Sequence, residues 1–284
     1  MPHRQPPNSR HLPALGLCSL LAAFGGCQST ASADDAPVDV AEEIQAQADP
    51  ADPGVVALLG QIEAATEQLK TLRGRVRYTV TQGLLGDQQR RFGDFYYAVS
   101  NEEHPTRFAI HFDRLIVDDR ARPIDRRYTF DGNWLLEENH DDKNATRREL
   151  VPPGRAQDDV LMLGGNKVRV PITMKADTIL AEYDVTRLED EAFGEQTLIH
   201  LRLSPREDEG LVEEPIDLWF HGESKLLTKV VYLDNQGTEE GADDDTIELL
   251  LSLIRPNFEI APETFSTTLP PADEDWQVQE VALD

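Results

Sequence analysis

The chain has 284 residues, 53 acidic against 27 basic side chains, and a net charge of −26. That balance excludes a nucleic-acid partner, whose phosphates need basic patches, and adhesion to an anionic bilayer by charge alone. The two cysteines, Cys18 and Cys27, sit near the start, so the rest of the chain has no disulfide, cysteine zinc site or thiol redox centre.

Residues 1–26 read as a secretory signal peptide. Arg4 and Arg10 make a basic arm, an apolar run of about a dozen residues follows from Leu12, and the small residues Gly25-Gly26 precede Cys27. The run falls short of the roughly 20 apolar residues that a spanning helix needs. Phe24-Gly25-Gly26-Cys27 resembles the lipobox of bacterial lipoproteins, with Phe24 where Leu is usual. The resemblance implies lipidation at Cys27 and a lipid-anchored protein on the periplasmic side of the cell envelope. Gln28 in place of Asp points to the outer membrane. Ordinary cleavage near Ala31 or Ala33, which would leave a soluble periplasmic protein, is the alternative. Residues 27–53, rich in Ala, Asp, Gln and Pro, read as a disordered tether.

Residues 54–284 read as a single domain. Val55, Leu58, Leu59, Ile62, Ala65, Leu69 and Leu72 recur at helical spacing and predict a helix over 54–72 that Gly74 ends. Val76, Tyr78 and Val80 then alternate with polar residues, as in a half-buried strand. Further strands are expected at 92–99, 108–112, 128–130, 134–136 and 146–151, with Asp131-Gly132 as a two-residue hairpin turn. A helical lid insertion is expected over about 156–183. It consists of short helices at 158–163 and 176–183, with Asp177 as N-cap of the second. Strands resume at 184–188, 197–203, 215–220, 226–233 and 246–253, and the tail from Phe258 to Trp276 reads as extended edge structure. The fold class is mainly β (α+β): an incomplete antiparallel β-barrel or strongly curved sheet, with an N-terminal helix and a helical lid.

Catalytic chemistry finds no support. His104, His111, His140, His200 and His221 are scattered singly, without metal-ligand spacing. The acidic run Glu239–Asp245 lacks the alternation of a calcium loop. No nucleophile elbow or phosphate loop occurs. The expectation is a non-enzymatic chain with no catalytic residue, metal or cofactor.

The segments Leu69-Lys70-Thr71-Leu72-Arg73-Gly74, His104-Pro105-Thr106-Arg107-Phe108 and Tyr128-Thr129-Phe130-Asp131-Gly132-Asn133-Trp134-Leu135 together resemble the periplasmic lipoprotein carriers of the Lol system (LolA) and their relatives. Ile216–Phe220, Leu226–Val230 and Phe258–Phe265 resemble the second half of that family. The resemblance covers roughly residues 54–270. It implies an apolar cavity under a helical lid that takes the acyl chains of lipoproteins or lipids for sorting or transfer to the outer membrane. Val76, Tyr78, Val80, Phe108, Ile110, Phe112, Trp134, Leu136, Leu218 and Phe220 are the expected cavity residues. The place of the family's lid-contacting arginine falls at Ala109, and Arg107 is the expected substitute. The alternative is a sensor or interaction protein of the RseB type, with an envelope protein as partner.

Overall fold

The computed structural model describes residues 52–83, 86–101, 104–152, 160–163, 166–169, 172–206, 215–234, 245–271 and 275–283. The expected signal peptide, Cys27, the expected tether up to residue 51 and the acidic stretch 239–244 lie outside the described residues.

Helix α1 spans Pro53–Glu67. Asp52 caps it by accepting from the Gly54 N–H at 2.7 Å, and Pro53 stands where a missing N–H costs nothing. Val55, Leu58, Leu59, Ile62 and Thr66 form its buried stripe. The helix stops five residues before the expected Leu72. Asn257 donates to the Gln68 carbonyl at 3.2 Å and accepts from the Lys70 N–H at 2.8 Å. The backbone from Thr71 onward is taken into the sheet. Gly74 therefore lies inside a strand instead of ending the helix.

Strands β1 (Thr71–Thr81), β2 (Gln88–Ala98), β3 (Arg107–Val117), β4 (Arg120–Phe130), β5 (Trp134–Asn139) and β6 (Asn144–Glu149) pair in sequence as an antiparallel meander. The β4–β5 turn centres one residue later than expected, on Gly132-Asn133. Gly132 has a φ of 109°, and Asp131 accepts from the Asn133 and Trp134 N–H groups.

Strands β7 (Val160–Leu163) and β8 (Asn166–Arg169) form a separate two-stranded sheet, so the helix expected over 158–163 is corrected to a strand for its described part. A four-residue apolar run fits either state, and pairing decided it. Helix α2 spans Ala176–Glu182, with Lys175 at the N-cap position and Asp177 inside the first turn. The cap comes from elsewhere: the Glu63 carboxylate of α1 accepts from the Ala176 N–H at 3.2 Å.

Strands β9 (Tyr183–Arg187) and β10 (Glu191–Phe193) both pair with β11 (Gln196–Pro205). A second meander runs from β11 through β12 (Ile216–His221) and β13 (Leu227–Asp234) to β14 (Asp245–Pro256), which pairs with β1 and joins the two halves. A short 3₁₀ helix at Pro262–Phe265 leads to β15 (Gln277–Val281), which runs parallel to β6. The result is one curved, unclosed sheet of thirteen strands with few helices. No described helix is long and apolar enough to cross a membrane.

The core lies on the inner face of the sheet, where strand residues meet the buried sides of α1 and α2 in one continuous cluster. Gly93 shapes that face. It sits between Val76 and Phe112 in the register, and the gap over β2 brings the rings of Tyr78 and Phe112 to 6.1 Å. A Cβ at Gly93 would meet the His111 carbonyl oxygen at 2.0 Å. Gly93→Ala is therefore expected to destabilise the protein by about 2–3 kcal/mol, because only backbone movement can relieve the overlap. A urea midpoint within error of the parent would contradict this.

Candidate functional site

Side chains of directly paired residues share a face of a sheet, so the register fixes what the inner face presents. One row runs Leu72, Tyr97, Phe108, Phe130 and Leu135, and the next contains Phe95, Ile110 and Tyr128. On the other half of the sheet, Tyr78 leads through Leu249, Val230 and Leu218 to Leu201. Aromatic rings line this surface: Phe108 and Phe130 stack at 5.5 Å, and Phe112 meets Tyr128 edge-on at 5.9 Å.

Of the expected cavity residues, Val76, Tyr78, Phe108, Ile110, Phe112, Leu218 and Phe220 are buried in this inner cluster, and Val80 packs against it half-buried. Their side chains lie against one another and against α1 and α2. Trp134 and Leu136 belong to the opposite face. Leu135 is the residue of β5 that pairs with Phe130, which turns its two neighbours outward. Trp134 there carries the Arg147 guanidinium over its ring at 4.3 Å.

Arg107 also corrects an expectation. It faces outward, next to Ala109, and its guanidinium stacks on Phe265 at 4.9 Å instead of reaching the helices. Burial lowers its pKa, with the Asp131 charge opposing. Asp131 also accepts from the Thr267 hydroxyl, so Arg107 and the β4–β5 turn together hold the C-terminal segment against the outer face.

Outer-face charges are organised into pairs. Arg75 bridges Asp94 and Asp113, Arg77 meets Glu248 at 2.7 Å, and Arg90 meets Asp119 at 3.0 Å. Asp125 gathers His111 at 3.0 Å, Arg127 at 3.1 Å and, more distantly, His140 at 3.9 Å. Asp217 joins Arg202 at 2.7 Å and His200 at 3.2 Å. Burial alone would raise the Asp217 carboxyl, but the hydrogen bonds and charges of Arg202 and His200 outweigh it and lower the pKa. The His200 ring stacks on Trp219 at 4.0 Å, and the Lys229 ammonium stands 3.5 Å from the centre of the same indole. Histidines scattered in sequence thus converge on carboxylates, as structural partners. An open recess of about 400 Å³ is lined by Arg75, Asp113, Arg114, Ala121, Arg122 and Pro123; most of these are charged, and Arg122 alone of them pairs with a residue of the inner cluster, Leu115.

The inner face also carries charges. Arg91 pairs with both Tyr78 and Leu115, Arg122 with Leu115, Arg126 with Phe112, and Arg120 with Val117. All four therefore take inner-face positions. The alternation Arg120-Ala121-Arg122-Pro123-Ile124-Asp125-Arg126 carries the signal, since Ile124 is buried in the inner cluster and its same-parity neighbours are arginines. Glu137 and Arg148 hold inner positions further along, on β5 and β6.

No family model and no curated protein matches the sequence. Several solved structures are similar to it. An uncharacterised conserved protein from Thermus thermophilus is 9% identical, with 80% of this chain and 99% of that one covered and a TM-score of 0.43. MucB, known in complex with MucA from Pseudomonas aeruginosa, is 12% identical, with 76% and 63% covered and a TM-score of 0.41. The lipoprotein LppX of Mycobacterium tuberculosis is 12% identical, with 74% and 100% covered and a TM-score of 0.38.

Glu137 gives the inner face a pH dependence of definite sign. Burial raises its pKa, and the Arg148 charge only partly opposes this. A carboxyl whose folded pKa is raised binds its proton more tightly when folded, so ionisation at neutral pH works against the fold. Glu137→Gln is expected to raise the denaturation midpoint at pH 7. The gain should shrink as the pH falls through the raised value and disappear below the ordinary carboxylate range. A variant less stable at pH 7, with the deficit narrowing in acid, would show instead that the ionised carboxylate supports the fold.

Proposed function

We propose that the protein is a non-enzymatic envelope lipoprotein, anchored through Cys27, that binds the acyl chains of lipoproteins or lipids for sorting or transfer to the outer membrane. The observation that carries this reading is the inner aromatic face of an unclosed sheet, covered by two helices whose own apolar sides complete it. The energetics of exchange favour such a role. A sixteen-carbon chain gains about 12 kcal/mol on burial, at roughly 0.8 kcal/mol per methylene. Displacing Val55, Leu58, Leu59 and Ile62 of α1 costs about 6–12 kcal/mol at 1.5–3 kcal/mol per side chain. An acyl chain and the helix are therefore matched competitors for one surface, and binding stays reversible.

Organic extraction of the full-length protein, purified from membranes, is expected to recover acyl species by mass spectrometry. The delipidated protein is expected to bind a lipopeptide. A protein that is consistently empty and has no affinity for lipopeptide would overturn the reading. A stable envelope protein partner captured without bound lipid would favour the sensor alternative.

Anchoring has its own test. Cys27→Ala is expected to abolish labelling by a fatty-acid probe and to release the protein from membranes. Unchanged membrane association would reject lipidation at this residue.

A further inference from the structure

Arginines occupy both faces of the sheet, in different company. On the outer face Arg75, Arg77, Arg90, Arg127 and Arg202 each meet a carboxylate within 3.2 Å. On the inner face Arg91, Arg120, Arg122 and Arg126 have no ion pair or hydrogen bond among the described residues. Arg91 lies over the Tyr78 ring at 5.7 Å, which leaves the guanidinium edge free to donate. Arg91 and Arg126 are half-buried, while Arg120 and Arg122 are exposed. They border the aromatic surface directly, through Tyr78, Leu115 and Phe112.

The placement is unusual for this composition. With 53 acidic side chains in the sequence, carboxylates were abundant enough to neutralise these arginines as they do Arg75, Arg77, Arg90, Arg127 and Arg202 outside, whereas the outer Arg107 stacks on a ring. Cations left unpaired at the edge of an apolar surface suit a ligand whose two ends differ: a tail for the aromatic face and an anion for the guanidinium groups, which hydrogen-bond phosphate and carboxylate oxygens in pairs. The net charge of −26 repels anions at long range, so selection must come from this local contact.

We infer that Arg91, Arg120, Arg122 and Arg126 form a headgroup site on the inner face, and that the occupant is an acyl amphiphile with an anionic headgroup, a phosphate-bearing lipid. The inference rests on the acyl-binding reading above and names the chemical class of its ligand. The acyl chain supplies most of the affinity and the arginines supply the choice of headgroup.

The test titrates delipidated full-length protein calorimetrically with myristoyl lysophosphatidylglycerol, with myristoyl lysophosphatidylcholine and with inorganic phosphate, each lipid below its micelle concentration. The anionic lipid is expected to bind at least about tenfold more tightly than the zwitterionic one, the scale of one charge-assisted hydrogen bond. In Arg91→Gln/Arg122→Gln/Arg126→Gln, checked for an unchanged circular dichroism spectrum, that preference is expected to fall to within about twofold while phosphatidylcholine affinity is kept. Arg77→Gln, on the outer face, is expected to leave the preference intact. Equal affinities in the parent would overturn the headgroup site and leave the acyl reading standing, whereas binding of neither lipid would overturn the acyl reading itself. An undiminished preference in the triple variant would remove these arginines from the assignment. Phosphate binding as tightly as the anionic lipid would identify a free-anion site and overturn the lipid source.

Discussion

The ladder between β1 and β14 holds the two halves of the molecule together. It joins residues about 170 positions apart, from Thr81 against Thr246 to Leu72 against Pro256, and each meander is otherwise built from sequence neighbours. Closing so long a loop costs chain entropy that only a long, well-buried pairing recovers. The ladder also carries an irregularity that kinks its strands locally. Its register shifts between Arg73 and Arg75, opposite Leu253, which takes a φ of 51° and stands exposed. A residue with Leu's side chain rarely adopts that conformation, so the kink is imposed by the pairing on either side of it. Asn257 lies just beyond with its own positive φ and ties the end of α1 to the same corner.

Much of this architecture was legible in the sequence because it is written in periodicity. The change from helical to alternating spacing around residues 54–80, and the Asp-Gly signal before Trp134, placed the first helix and a hairpin to within a few residues. What failed did so for definable reasons. Trp134-Leu135-Leu136 is apolar at every position, so alternation cannot say which residue faces inward; the partner Phe130 decides. Val160–Leu163 is too short to show a period. Leu69 and Leu72 continue the helical stripe of α1 yet lie outside the helix, because Asn257, almost two hundred residues away, claims the backbone first.

The candidate site divided along the same line. Strand residues in clear alternation, such as Val76, Tyr78, Phe108, Ile110 and Phe112, came together as one surface. Arg107 was placed through a resemblance and sits on the other face, where its stacking on Phe265 gives it a different task. The inner-face arginines escaped notice because a polar alternation ordinarily marks a solvated side. Only the buried Ile124 among them shows that β4 presents arginines inward.

The separation of charge between the two faces has a consequence for how the protein responds to ionic strength. Exposed ion pairs weaken as salt shortens the reach of charge, whereas apolar burial is little affected by moderate ionic strength. The more exposed pairs of Arg90 with Asp119 and of Arg75 with Asp113 should therefore loosen with salt, while the largely buried cluster of Asp217 and His200 and the inner aromatic surface stay packed. Ionic strength would act as a dial on the stiffness of the shell and leave its lining intact, so the rigidity of the outer face and the packing of the inner one can vary independently in one molecule.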